Sequence, residues 1–133
     1  MIKKSPAAAV VKPAHYGRAF KTAWFAKEAR KAKIPDEDLC RAIKQVIQGP
    51  ADDLGGGVFK KRLNDNMHRS IILAKAGKNW IYAYLYAKKD RENITQDELS
   101  GFKKLAKDYA ITDDDKILTL LRDEELLEIC HES

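Results

Sequence analysis

Between Val58 and Lys88 the chain passes through three stretches of alternating side-chain character, Val58 to Leu63, Arg69 to Ala76 and Trp80 to Lys88. Only Asn64-Asp65-Asn66-Met67-His68 and Gly77-Lys78-Asn79 join them. A period of two is the mark of strands with two unlike faces. Connectors this short cannot carry the crossover of a dozen or more residues that parallel pairing needs, so the runs predict an antiparallel meander. Asp52-Asp53-Leu54-Gly55-Gly56-Gly57 leads into it as a turn-rich hinge. In the first run Lys60 and Arg62 share the face of Val58, opposite Phe59, Lys61 and Leu63. Strict alternation onward sets Ile72 and Ala74 against Arg69, Ile71, Leu73 and Lys75, and Ile81, Ala83, Leu85 and Ala87 against Trp80, Tyr82, Tyr84, Tyr86 and Lys88. One sheet face should then be aliphatic and the other a mixture of basic and aromatic groups.

Helical patterns flank the meander. From Phe20, the residues Phe20, Ala23, Trp24, Phe25, Ala29 and Ala32 form an apolar face that stops before Pro35. Pro35-Asp36-Glu37-Asp38 suits a first helical turn, with carboxylates at the positive end of the dipole; Leu39, Ile43, Val46 and Ile47 continue that helix to Gly49-Pro50. Thr95 to Glu98 reads as a capping box for a third helix, and Thr112 to Asp115 starts a fourth. Glu125 to Cys130 fits a last strand or more helix equally well. The order predicts an α+β fold in one domain over residues 20–133, preceded by an arm over residues 1–19.

Charge is placed unevenly. The net +5 divides into +5 over residues 1–54, +6 over 55–94 and −6 over 95–133. A basic centre calls for an anionic partner, against the plainer reading of solvated surface lysines. Several chemistries lack their residues. The Gly55 run has no following Gly-Lys-Ser/Thr for cradling phosphates, His15, His68 and His131 are scattered rather than set at metal-ligand spacing, and no Ser or Cys sits in a nucleophile elbow. No metal and no cofactor is expected. The longest uncharged apolar run, Ser5 to Val11, is too short to span a membrane, and no signal-peptide pattern is present, so a cytoplasmic location and no membrane partner are expected. Cys40 and Cys130 lie 90 positions apart and in a reducing compartment are expected as plain thiols.

The remaining constellation is the basic and aromatic face, Lys60, Arg62, Arg69, Lys75, Tyr82, Tyr84, Tyr86 and Lys88, with Arg91 just beyond. Arginine offers a planar fork to phosphate oxygens and tyrosine a plane for an unpaired base, so the face suits single-stranded RNA. The competing reading packs the tyrosines under helices. Such a face can also cleave RNA, because the ribose 2′-hydroxyl supplies the nucleophile and cations stabilise the charge that develops on phosphorus.

Four separated stretches, in order, resemble the RelE/ParE superfamily of toxin–antitoxin toxins, in its RelE/HigB-like branch. They are Lys21-Thr22-Ala23-Trp24-Phe25-Ala26-Lys27, Leu54 to Arg62, Arg69-Ser70, and Tyr84 to Ile94. The resemblance implies two N-terminal helices packed on a small curved antiparallel sheet, with helices following. It further implies a ribosome-dependent mRNA endoribonuclease that inhibits translation, and as partners mRNA, the ribosome and a small DNA-binding antitoxin encoded by an adjacent gene. It carries catalytic roles to Lys60, Arg62, Arg69, Tyr84 and Lys88, with Tyr84 stacking on a base or relaying a proton. Lys61, Lys75, Tyr82, Tyr86, Arg91 and His68 complete the expected RNA-binding set. Members of the branch commonly carry a longer glycine-rich loop where this chain has only Asn64 to His68. Two alternatives stay open: a non-catalytic inhibitor of a protein target such as DNA gyrase, and an RNA-binding module without turnover.

Overall fold

The computed structural model describes residues 17–49, 51–75 and 79–130. Most of the expected arm, residues 1–16, and the turn at Gly77-Lys78 lie outside the described residues. The elements are β1 (Arg18–Thr22), α1 (Ala23–Lys31), α2 (Asp36–Gln48), β2 (Asp52–Gly55), β3 (Val58–Leu63), β4 (His68–Lys75), β5 (Asn79–Ala87), α3 (Gln96–Ala110), α4 (Asp114–Arg122) and β6 (Leu126–Ile129). They build one six-stranded sheet in the order β2-β3-β4-β5-β1-β6.

The fold is α+β, with a layout that differs from the expected one. A strand, β1, precedes the helices, and it runs parallel to β5 and antiparallel to β6, so the sheet is mixed. Phe20 is a fully buried strand residue, and Arg18 and Ala19 belong to β1 rather than to an arm. The helix begins only at Ala23, where the Thr22 hydroxyl accepts a hydrogen bond from the Phe25 amide at 3.1 Å. The carboxyl-terminal segment resolves as strand β6.

The meander forms as expected, with β3, β4 and β5 paired antiparallel. The glycine run is a hairpin turn rather than a hinge, joining β3 to the short edge strand β2. Gly56 and Gly57 both take positive φ, +61° and +83°, as a two-residue hairpin turn of the primed kind requires. A Cβ on Gly57 would stand 2.8 Å from the Ala74 carbonyl oxygen, leaving no room for a side chain.

Helices cover both faces of the sheet. On one side α1 and α2 bring Phe25, Ala29, Leu39, Ile43 and Val46 against Leu63, Ile72, Trp80, Tyr82 and Leu85. On the other, α3 and α4 bring Leu99, Phe102, Ala106 and Ile117 against Val58, Ile71, Leu73 and Ile81. The predicted division into an aliphatic and a basic-aromatic face therefore fails along β5, and the cause is local. Ile72 pairs with Tyr82 but Ile71 pairs with Tyr84, so Ala83 is an extra residue. This β-bulge breaks the period of two. Tyr82 goes to the α1/α2 side, where it is 0% exposed and its hydroxyl donates to the Leu39 carbonyl at 2.7 Å; Tyr84 goes to the α3/α4 side. Burial pushes the Tyr82 phenol pKa well above its ordinary value.

Cys40 and Cys130 form a disulfide, their Cα atoms 5.4 Å apart, which corrects the expectation of two thiols. The sheet supplies the proximity: β6 runs beside β1, and its end packs on the same core as α2.

Candidate functional site

Directly opposed residues on paired strands project to the same face. Two adjacent rows follow on the α3/α4 side. Asp52, Lys60, Ile71 and Tyr84 make one, and Arg62, Arg69 and Tyr86 the other. In the first row α3 covers Ile71 and Tyr84 through Phe102 and Leu99. Beside it lies an open polar cleft of about 580 Å³, lined by Lys60, Lys61, Arg62, Arg69, Asp52 and Asn93 among others.

Within this cleft Arg62 stands directly opposite Arg69, and neither makes an ion pair among the described residues. Like charges facing each other across strands repel, so the pair contributes nothing favourable of its own to the pairing of β3 with β4. One Arg69 Nη donates to the backbone carbonyls of Asn66 and His68, at 3.0 and 3.3 Å, which fixes the guanidinium at the β3–β4 turn. That turn is tight because Asn64, Asp65 and Asn66 all adopt positive φ, a conformation Asn and Asp tolerate. Lys60 is held differently: its Nζ donates to Asn93 Oδ1 at 2.7 Å and lies 3.8 Å from Asp52 Oδ2.

Arg91 lies next to this cleft without lining it, in the wall of the cleft beside Trp24. It makes a two-pronged pair with Glu98, at 2.5 and 3.1 Å, and donates from Nε to the Asn93 carbonyl. It also reaches the Tyr84 hydroxyl at 3.3 Å and lies 5.5 Å from the centre of the Tyr86 ring. Glu98 is also the α3 capping-box carboxylate, accepting from the Thr95 amide at 2.7 Å. Its hydrogen bonds from the Arg91 guanidinium and the Thr95 amide hold its carboxyl down to about 2, and the same pair raises Arg91 above its ordinary value. A folded-state pKa below the unfolded one gives stability that is present above the unfolded value and lost as pH falls toward the folded one. Stability should therefore decline as pH drops from about 4.5 to about 2. Glu98→Gln, which still satisfies the cap, should show a shallower decline when helical circular dichroism is followed through acid unfolding.

The other expected residues are scattered. Tyr86 is 6% exposed, and its buried hydroxyl has no hydrogen-bond partner among the described residues. Burial raises its pKa, while Arg69 and Arg91 oppose the rise. Lys61 lines the cleft from the Phe59 side of β3, and burial, then the adjacent Arg62 charge, lower its pKa. His68 pairs opposite Leu63, with its Nδ1 3.1 Å from Asn64 Nδ2, and lines the cleft beside Trp24 together with Arg91, not the cleft that holds Arg62 and Arg69. Lys88 is exposed beyond the end of β5 and lines neither this cleft nor the one beside Trp24. Lys75 lies in β4, its side chain outside the described residues. Tyr82 is excluded from any surface by its burial.

Sequence reasoning did not assign Asp52, Asn93 or the second role of Glu98. Glu98 carried a signal, since it lies seven positions after Arg91, but the capping box accounted for it fully. The acidic residues of α4 line neither cleft, and the carboxylate that pairs with Arg91 comes from α3. Among the described residues no three His, Cys, Asp or Glu side chains converge as a metal site, and no helix is long and apolar enough to cross a membrane.

A family model described as "RelE toxin of RelE / RelB toxin-antitoxin system" matches residues 17–129. No curated protein and no solved structure matches the chain.

Proposed function

The chain belongs to the RelE toxin family of RelE/RelB toxin–antitoxin systems, so its partner is a cognate antitoxin, and from that membership we propose that it is an endoribonuclease that cuts mRNA on the ribosome, inhibits translation and arrests growth. The observation that carries this reading is the opposed, unpaired Arg62 and Arg69 beside Lys60. Three cations in a cleft open to solvent suit a phosphodiester. As the ribose 2′-oxygen attacks phosphorus, negative charge grows on the non-bridging oxygens, and guanidinium forks already in place stabilise it without reorganising. The bond from phosphorus to the 5′-oxygen breaks. The proton lost by the 2′-hydroxyl is matched by one gained by the leaving 5′-oxygen, and the products are a 2′,3′-cyclic phosphate and a 5′-hydroxyl end.

In this mechanism Arg62 and Arg69 bind the reacting phosphate, and Lys60 stabilises charge from the next row. The Tyr84 hydroxyl, in contact with Arg91, is the proton-relay group. The unpartnered Tyr86 hydroxyl beside Arg69 is a donor in reserve for a phosphate oxygen. Lys61 lines the same cleft, and burial, then the adjacent Arg62 charge, shift its pKa downward, the direction a general base requires. Lys88, Lys75 and His68 lie away from the reacting phosphate, where the cations among them contribute to backbone attraction only. The antitoxin is a small DNA-binding protein encoded beside this gene.

The test is to induce the full chain and map RNA ends. New mRNA 5′-hydroxyl ends within translated regions, and cyclic phosphates formed by purified protein with programmed ribosomes, are the expected result. Intact mRNA with DNA double-strand breaks would instead place the chain with the gyrase-directed alternative. RNA bound with a steep salt dependence yet left whole would make it a binding module.

A further inference from the structure

The resemblance assigns base stacking to Tyr84, but the ring is already covered. Trp24 lies against it with centroids 5.1 Å apart and planes 14° from parallel, and Tyr86 and Phe102 take tilted contacts at 5.9 and 5.7 Å. A base could reach the Tyr84 face only by displacing Trp24. Trp24 itself is 46% exposed, a large aromatic with one face against tyrosine and much of the rest open to solvent.

The surroundings form a cleft rather than a bare patch. β1 pairs with β5 only as far as Tyr82, and α1 turns away immediately after it. Beyond that point, among the described residues, the β5 edge from Tyr84 to Ala87 carries no strand on this side. Between that edge and α1 lies a second cleft of about 590 Å³, lined by Trp24, Glu28, Lys31, Tyr84, Lys89 and Asp90 among others, a size suited to a small ligand. Arg91 and Tyr86 form part of its wall, and Tyr86 is the cross-strand partner of Arg69. A strand of RNA with its phosphate at Arg62 and Arg69 would thus bring an adjacent nucleotide into this cleft.

Resting on the ribonuclease reading above, we propose that this cleft is a nucleobase subsite in which Trp24 is the stacking platform for an unpaired base of single-stranded RNA, Lys31 and Lys89 attract the flanking phosphate, and the carboxylates of Glu28 and Asp90 face the base edge. Tyr84 is left to hold its hydroxyl at Arg91. Aromatic side chains that stack on bases have just this combination of an exposed plane and neighbouring cations.

The chain has two tryptophans, and the other, Trp80, is buried, so Trp24 emission reports the site. The probe is a short 2′-O-methyl RNA, which cannot be cleaved because the nucleophilic oxygen is blocked. In the full chain it should quench tryptophan emission saturably. Trp24→Leu, which keeps an apolar cover on Tyr84, should weaken binding roughly tenfold, and Trp24→Phe should stay within about threefold of the parent. Unchanged emission at saturating RNA, wild-type affinity in Trp24→Leu, or failure to bind would overturn the subsite. Cleavage of ordinary mRNA by Trp24→Leu at the parental KM overturns the subsite and spares the nuclease reading. Quenching by the probe with ordinary mRNA left whole spares the subsite and overturns the nuclease reading.

Discussion

Replacing Arg62 and Arg69 together with alanine should lower the rate of mRNA cleavage by about 1,000-fold while leaving the fold as stable as before or slightly more so. The rate estimate follows from the loss seen when one preorganised donor is removed from a developing oxyanion, roughly 100- to 1,000-fold; two donors that act on the same phosphate do not add independently. The stability expectation comes from the register. Arg62 and Arg69 are opposed on β3 and β4 without an ion pair, so their removal relieves repulsion. Arg69 does give up hydrogen bonds to the Asn66 and His68 carbonyls, but these lie at an exposed turn where water replaces the donor. A cluster kept for function at a cost to stability should behave this way, whereas residues that merely support the fold would lose both together. The checks are cleavage of ribosome-bound mRNA under single-turnover conditions and thermal unfolding of the same preparations. A double variant that cuts at the parental rate would remove the arginines from the mechanism.

Why this cluster was readable from the sequence, and the aromatic cleft was not, lies in the strands. β3 and β4 keep an unbroken period of two through the pairing of Lys60, Arg62 and Arg69, so alternation alone placed those three together. β5 does not, because Ala83 is extra, and one added residue puts the side chains before it out of phase with those after it, so Tyr84 and Tyr86 share the face of Arg69 as counted while Tyr82 does not. Tyr82 and Tyr84 were grouped by spacing, yet they point to opposite sides. Nothing in the order Trp80-Ile81-Tyr82-Ala83-Tyr84 marks a bulge. The start of α1 did carry a mark, the Thr22 cap, but the apolar run from Phe20 hides it, since Phe20 is equally suited to a buried strand and to a helix face. Glu98 was found as a cap because capping is local; its hold on Arg91 depends on how the 91–98 segment folds back, which sequence spacing does not reveal. Trp24 read as core for a similar reason, as one more apolar position on an amphipathic helix.

Reduction of the Cys40–Cys130 disulfide should destabilise the chain by about 3–4 kcal/mol, lowering the melting temperature by roughly 10 °C. A crosslink acts largely by restricting the unfolded chain, and the restriction grows with the closed loop; here the separation is 90 residues, close to the whole sheet. The native side offers a reason for local sensitivity as well. Among the described residues β6 is an edge strand paired only with β1, and the disulfide ties its end to α2, beside the Leu39 carbonyl that holds Tyr82. Without the bond β6 should fray first, seen as faster amide exchange at Leu126 to Ile129 than in β4. Cys40→Ser and Cys130→Ser should each reproduce the loss, and adding reductant to either should then change nothing further. The expectation of two thiols rested on a reducing compartment; what it could not include is that pairing of β6 with β1 brings the end of the chain back beside α2. An unmodified melting temperature on reduction, with both thiols accessible to alkylation beforehand, would show that the bond does not form in the folded protein.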